Sequence, residues 1–266
     1  MKGKILLTLL ATFFLLLPAS SWALPKTVAQ KITAPSYMAV DLSTNSVILK
    51  KNSTKKYPMA SVAKLMSAVI SLENIEMSQK ITLTEEMFSP PGQSPALFAG
   101  LIISAENLLK AALVQSTNDA AESLSYFLGH EKFVRLMNQK AKKLGMKNTV
   151  FYDVHGVNAF DRSTASDLVK LTSYINKEHP EIWKMTKDND FSLPSQEGAS
   201  MKFLNMNDFS YFDDFVGGKT GYLPQAKETL ASVFNVNGKP IAITLLFSKN
   251  RTMDIINILQ RLKGMI

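Results

Sequence analysis

The 266-residue chain contains no cysteine. That excludes a disulfide framework and a lipid-anchored N-terminal cysteine, and leaves stability to the apolar core. Histidine is also scarce. His130, His155 and His179 form no His-Glu-x-x-His zinc pattern and suggest no catalytic triad. No Gly-x-Ser-x-Gly nucleophile elbow occurs either. No metal or organic cofactor is therefore expected. Beyond the N-terminus no stretch is long and apolar enough to span a bilayer, and repeats, low-complexity tracts and long linkers are absent.

What the N-terminus does contain is a targeting pattern. Lys2 and Lys4 precede an apolar run from Ile5 to Leu17, Pro18 ends it, and Ser21-Trp22-Ala23 offers small residues to a signal peptidase. At 13 residues the run falls short of the roughly 20 a membrane-spanning helix needs. The alternative is an uncleaved N-terminal anchor. Residues 1–23 are read as a secretory signal and residues 24–266 as one domain, exported to the periplasm or extracytoplasmic envelope with no stable membrane anchor after processing. The formal charge of +8 falls to +6 without Lys2 and Lys4. Lysines at 50, 51, 55, 56, 140, 142, 143 and 147 read first as solvated faces. An exported cationic protein would meet an anionic envelope polymer rather than nucleic acid.

Along the chain, Tyr37–Leu42 and Val47–Lys51 read as a hairpin, and Ser61–Leu72 carries the apolar spacing of a buried helix. Helices are predicted over Ala105–Gln115, Asp119–Leu128, Glu131–Leu144 and Ser166–Asn176, and residues 186–208 read as polar and irregular. Strands follow at Phe215–Thr220, Thr229–Asn235 and Ile241–Phe247, the last two joined across Asn237-Gly238, before a closing helix from Arg251 to Leu262. Its apolar positions are spaced to pack on the sheet rather than to lie on a membrane surface. The pattern predicts an α/β (α+β) sandwich with one antiparallel sheet, its edges built from distant segments and flanked by helices.

Three short motifs carry the chemistry: Ser61-Val62-Ala63-Lys64, Ser116-Thr117-Asn118 and Lys219-Thr220-Gly221, 55 and then 103 residues apart. A serine hydroxyl needs a base, and Ser61 and Lys64 share one face of a helix start. Lys64 can be that base only when neutral, which burial and a nearby cation such as Lys219 would favour. Alone, Ser-x-x-Lys is more often an N-cap followed by a surface lysine. Ser53-Thr54-Lys55-Lys56 fits it too, but sits in a polar stretch and reads as loop. Ser43-Thr44-Asn45 likewise copies the middle motif within a hairpin turn. Ser116 lies between two apolar helices, where it can relay a proton while Asn118 holds a substrate carbonyl. Ser116-Thr117-Asn118-Asp119 also reads as a capping box. Lys219 and Thr220 can hold a carboxylate, Gly221 admits a ligand backbone, and an extended peptide can pair along Gly217–Tyr222.

With these motifs in order, the chain resembles the serine D-Ala-D-Ala carboxypeptidases, the low-molecular-mass penicillin-binding proteins of the S11 peptidase type. Met59–Met66, Asn118-Asp119-Ala120-Ala121, Leu136–Ala141, Ser163–Leu168 and Gly218–Tyr222 share the likeness. The resemblance implies a penicillin-binding, β-lactamase-like sandwich in which Ser61 forms the acyl-enzyme and Lys64 accepts its proton. Ser116 and Asn118 would complete the proton path and the substrate clamp. Lys219 and Thr220 would bind a terminal carboxylate, with Gly221 and Tyr222 beside them, and the backbone N–H groups of Ser61 and Tyr222 would form an oxyanion hole. The implied activity is removal of the terminal D-Ala from peptidoglycan stem pentapeptides, with β-lactams as covalent inhibitors. The alternatives are a D,D-endopeptidase cutting cross-links and a non-catalytic penicillin-binding sensor. A β-lactamase fits less well, because no Glu-x-x-x-Asn motif lies between the second and third motifs. Thr117 stands where the family commonly has glycine. Many family members continue into a C-terminal β domain, whereas this chain runs only to Ile266, soon after its last catalytic-domain element, as endopeptidases of the family do.

Overall fold

The computed structural model describes residues 31–194 and 200–266. The expected signal segment lies outside the described residues. In chain order, β1 (Ser36–Asp41) and β2 (Ser46–Lys51) form the N-terminal hairpin, and β3 (Tyr57–Pro58) leads into one 3-10 turn, Ala60–Ala63. Helix α1 (Lys64–Asn74) continues directly from that turn. The short strands β4 (Lys80–Thr82) and β5 (Ile102–Ser104) pair with each other before α2 (Ala105–Val114), α3 (Asn118–Tyr126) and α4 (His130–Lys143). Strand β6 (Arg162–Ser163) pairs with β3 and precedes α5 (Ala165–Glu178) and α6 (Pro180–Lys187). A hairpin, β7 (Asp190–Pro194) and β8 (Ser200–Leu204), is followed by β9 (Phe215–Leu223), β10 (Lys227–Val236), β11 (Lys239–Ser248) and the final helix α7 (Arg251–Lys263).

The main sheet has the order β2-β1-β11-β10-β9 and is antiparallel throughout. Its centre joins the two ends of the chain, with Tyr37 opposite Leu245 and Ala39 opposite Ile243. The expected sheet with edges from distant segments is what forms. Strand alternation then divides the core in two. Leu230, Phe234, Val236, Ile241, Ile243 and Leu245 pack with Ile255, Ile258, Leu259 and Leu262 of α7. Ala231, Val233 and Leu246 join the larger core built from α1–α6. The closing helix is therefore a core element, as its spacing predicts. Among the described residues no helix is long and apolar enough to cross a membrane.

Local signals explain where the elements begin. Ser104, Thr164 and Asn250 cap α2, α5 and α7 by accepting hydrogen bonds from the backbone N–H of Asn107, Asp167 and Met253. Two expectations need correction. Residues 186–208 are not irregular: α6 runs to Lys187, and β7 and β8 pair with Phe191 opposite Phe203. Those two rings stack 4.5 Å apart, and Leu193 and Phe203 are buried beneath α2. The capping box at Ser116–Asp119 does not form either. Thr117 is the N-cap of α3 but its side chain makes no cap bond, while the Asp119 carboxylate accepts from Ser94 N at 2.7 Å, across the chain.

Candidate active site

The turn that presents Ser61 is held from two sides. Ala60 has φ +49°, a left-handed conformation unusual for alanine, and Met59 N donates to Asp161 O at 3.1 Å. From the sheet side, Thr229 Oγ1 donates to Met59 O at 2.9 Å. Gly221 closes the gap between the edge strand and this turn. A Cβ there would lie 2.8 Å from Ser61 N and 2.6 Å from Thr229 Oγ1, so glycine is what lets β9 approach the nucleophile.

Because the 3-10 turn passes straight into α1, Lys64 starts that helix and points back toward Ser61. Its Nζ lies 3.1 Å from Ser61 Oγ, 2.6 Å from Asn118 Oδ1 and 3.0 Å from His155 O. Lys64 is almost fully buried. Burial pulls its pKa from the ordinary lysine value to about 7, against the opposing charges of Asp153 and Asp119. Asn118 Oδ1 and the His155 carbonyl can only accept, so they take two of its N–H groups. The third position on the nitrogen faces the Ser61 hydroxyl, to which the ammonium donates and from which the neutral amine can accept.

Lys219 is also buried, and its Nζ donates to Thr220 O at 3.0 Å. Burial first, then the charges of Lys64 and Arg251, push it well below the usual lysine range. Burial is the main cause that depresses Lys64, one of the two causes expected from the sequence, and the two buried amines lie close enough for Lys64 to repel the charge of Lys219. Thr220 is buried beside it, whereas the Tyr222 side chain is 62% exposed at the sheet edge.

The middle motif reaches the site through Asn118. Besides accepting from Lys64, its Nδ2 donates to Pro91 O, and its backbone N donates to Gly92 O at 3.0 Å. Ser116 sits half-buried on the same loop at φ +65°. Among the described residues its hydroxyl has no hydrogen-bond partner. The structure therefore joins Ser61, Lys64 and Asn118 by hydrogen bonds and sets Gly221 of β9 against the Ser61 turn, with Lys219 and Thr220 preceding it on the same strand, while Ser116 reaches the site only by its loop. The decoys stay apart: Ser53 and Ser43-Thr44-Asn45 lie in surface turns.

Sequence reasoning missed several contributors. His155 contributes its backbone carbonyl, while its ring faces Asp153 and Glu122 at 3.3 and 3.7 Å. The Glu122 carboxylate also pairs with His130 at 2.9 Å, a contact that raises the pKa of that imidazole. Arg251, read only as the first residue of the closing helix, is buried at the end of β9. Its Nη1 donates to Gly221 O and its Nη2 to Asp208 Oδ2. The cationic residue opening a helix directly after a long strand was the available signal.

A half-buried serine facing a buried lysine beside the edge strand of such a sandwich defines a serine acyl-transfer protein of the penicillin-binding type. The family model described as D-alanyl-D-alanine carboxypeptidase, peptidase S11, matches residues 24–249. The chain belongs to that family, and it is a serine-type D-Ala-D-Ala peptidase of the hydrolase class. It is 33% identical over 248 residues to a D-alanyl-D-alanine endopeptidase of Escherichia coli, covering 87% of this chain and 79% of the relative. It is 40% identical over 209 residues to a D-alanyl-D-alanine endopeptidase of Haemophilus influenzae, covering 75% and 70%. It is 31% identical to the carboxypeptidase DacF of Bacillus subtilis, covering 79% of this chain and 56% of that protein. Among solved structures, a Mycobacterium tuberculosis D-alanyl-D-alanine carboxypeptidase superposes with TM-score 0.82 at 22% identity, covering 89% of this chain and 93% of that one. Penicillin-binding protein D2 of Listeria monocytogenes, in its cefotaxime-bound form, gives TM-score 0.76 at 26% identity, covering 88% and 98%.

Proposed function

We propose that Ser61 attacks the carbonyl of a D-Ala-D-Ala terminus on a peptidoglycan stem peptide, with Lys64 as the base. The observation that carries this is the position of the buried Lys64 Nζ: two acceptors fix it, and its third position faces Ser61 Oγ at 3.1 Å, where the neutral amine takes the Ser61 proton. As that proton passes to nitrogen, the acyl-enzyme forms and the terminal D-Ala leaves. Ser116, on the loop across the cleft, returns a proton to the leaving amine. The Ser61 and Tyr222 N–H groups take the oxyanion. Lys219 and Thr220, with Gly221 clearing the approach, receive the terminal carboxylate as the peptide pairs along β9. Asn118 shifts from Pro91 to the substrate carbonyl while keeping Lys64 in place.

β-Lactams, which present the same carbonyl and carboxylate, acylate Ser61. The protein acts outside the cytoplasm, in the periplasm or cell envelope, after loss of residues 1–23, as the single domain 24–266.

Incubation of the purified protein with monomeric pentapeptide and with cross-linked muropeptide dimers, followed by mass analysis, tests the reading. Release of one D-Ala from the pentapeptide is the expected result. A second reading, hydrolysis of D,D cross-links by the same site, is favoured by the relatives at 33% and 40% identity, both named endopeptidases. Dimer cleavage with an untouched pentapeptide would select it.

A further inference from the structure

Two acidic side chains, Asp153 and Asp161, meet on the loop that presents the His155 carbonyl to Lys64. Asp161 is fully buried; its Oδ1 accepts from Tyr152 N at 2.6 Å, and its Oδ2 has no donor among the described residues. The polar group facing it is the carboxylate of Asp153, itself the acceptor for the backbone N–H groups of His155 at 3.0 Å, Gly156 at 2.5 Å and Asn158 at 2.7 Å. A fully buried carboxylate does not stay ionised in contact with a second, half-buried one that keeps its charge. A single proton on Asp161 turns the orphaned oxygen into a donor to Asp153.

The surroundings of the pair give this proton a purpose. The turn that Asp153 gathers carries the His155 carbonyl that fixes Lys64, and Gly156, which packs against Ala60 O beside Ser61. The Asp161 carbonyl holds Met59 N on the other side of the same nucleophile turn. We infer that Asp153 and Asp161 share one proton and act as a positioning pair, locking the Lys64 acceptor and the Ser61 turn in register.

The other ionisable groups around the pair agree with this. Burial and the Asp153 charge push Asp161 up to about 9. Burial pushes Asp153 up as well, but His155, the Asp161 hydrogen bond and the backbone donors outweigh it, and its carboxylate ends below the usual range. Lys64 feels the charges of both Asp153 and Asp119. The His155 ring, held largely neutral by burial, separates Asp153 from Glu122 and His130. Asp153 therefore keeps its charge and Asp161 its proton at neutral pH.

The inference rests on Ser61 and Lys64 as the acyl-transfer pair, and the test separates the two claims. Loss of penicillin labelling in Ser61→Ala examines the site without reference to the acids. For the pair, infrared spectra of the wild type should show a protonated-carboxyl C=O band at neutral pH that disappears as pH rises through about 9, the value toward which burial drives Asp161, and that is missing in Asp161→Asn. An asparagine amide can donate to Asp153 without a proton, so Asp161→Asn should be acylated by labelled penicillin within about threefold of the wild-type rate. Asp161→Leu, which cannot donate, should lose about 10²-fold. The wild-type acylation rate should also fall near pH 9, and Asp161→Asn should lose that alkaline fall while its acid limb stays in place. A wild type without the carboxyl band, an Asp161→Asn as impaired as Asp161→Leu, or an Asp161→Leu with the wild-type rate would each overturn the pair. Because the infrared titration uses the wild type alone, it decides the proton's existence even if Asp161→Leu does not fold.

Discussion

Gly156 and Ala60 are in backbone contact: a Cβ built on Gly156 would sit 2.0 Å from the Ala60 carbonyl oxygen and 3.1 Å from Ala63 Cβ. Gly156 also has φ +84°, where an L side chain is strained. Neither obstacle is the movable end of a side chain, so Gly156→Ala must displace the turn that carries Ser61. We expect a loss of about 2 kcal/mol or more in unfolding free energy, together with a slowed reaction with labelled penicillin. Thermal unfolding and a labelling time course read the two effects. A variant that melts and labels like the wild type would show that the turn yields without consequence.

The protonation of Lys64 sets the acid limb of the pH profile. With its pKa near 7, acylation should rise through that pH and fall about tenfold per unit below it. The stability consequence has a definite sign. The depressed folded value means that the unfolded chain binds the extra proton between about 7 and 10.5. Lys64 therefore makes stability rise with pH across that window and contributes no slope outside it. Stopped-flow acylation across pH 5–9 tests the first statement. An acid limb centred well away from 7 would assign the base role to another group.

Ser61, and not its look-alike Ser53, should carry the acyl group. Ser61 faces the buried amine at 3.1 Å, whereas Ser53 lies in a surface turn where its carbonyl accepts from Ser166 N. Labelled penicillin should mark the wild type and Ser53→Ala equally and leave Ser61→Ala unmarked. Labelling that persists in Ser61→Ala would remove the assignment.

The reading of the site from sequence worked where chemistry and local pattern coincide. Ser61 and Lys64 stand at the start of a helix with the apolar spacing of a buried one, and Lys219 lies at the end of a strand run, so both spacing and environment single them out. It failed where the contributor has no side-chain signature or where distant contacts override local ones. The His155 carbonyl that holds Lys64 is a backbone atom any residue could supply. Asp153 and Asp161 lie in an irregular loop where no local pattern marks them, and only the fold brings them together. The Ser116–Asp119 capping box lost to a tertiary partner, because Asp119 finds Ser94 N across the chain. The β7–β8 pair hides because, among the described residues of its two strands, Leu193 and Phe203 alone are buried, set among many polar neighbours.

Lys219 should act on substrates through their carboxylate. It is buried on the edge strand, and among the described residues its hydrogen-bond acceptor is its own backbone neighbour, Thr220 O. An incoming carboxylate would offset the repulsion from Lys64 and Arg251 that holds its pKa down, and so restore its charge. Removing such a charge-assisted contact costs about 1.5–3 kcal/mol, or roughly one to two orders of magnitude in kcat/KM. Lys219→Ala should therefore lose far more activity on a free-carboxylate peptide than on its C-terminal amide. Equal losses on both would contradict carboxylate recognition.

The closing helix should prove indispensable to the fold. Ile255, Ile258, Leu259 and Leu262 of α7 cover one face of the sheet. At its start the fully buried Asp254 accepts from Thr33 N at 2.6 Å, Thr33 Oγ1 at 2.8 Å, Ala34 N at 2.8 Å and Ser248 Oγ at 2.6 Å, which ties both ends of the described chain to β11. Asp254→Ala would strand those donors and should cost about 3 kcal/mol or more. Deleting residues 251–266 exposes the whole apolar face and should leave the domain unfolded or insoluble. The same residues mix apolar and basic side chains, Arg251, Arg261 and Lys263 among them, as a membrane-surface helix would. The two roles separate cleanly in one experiment. A truncated protein that stays folded and active while losing liposome binding would make α7 an anchor, whereas loss of the cooperative melt makes it part of the core.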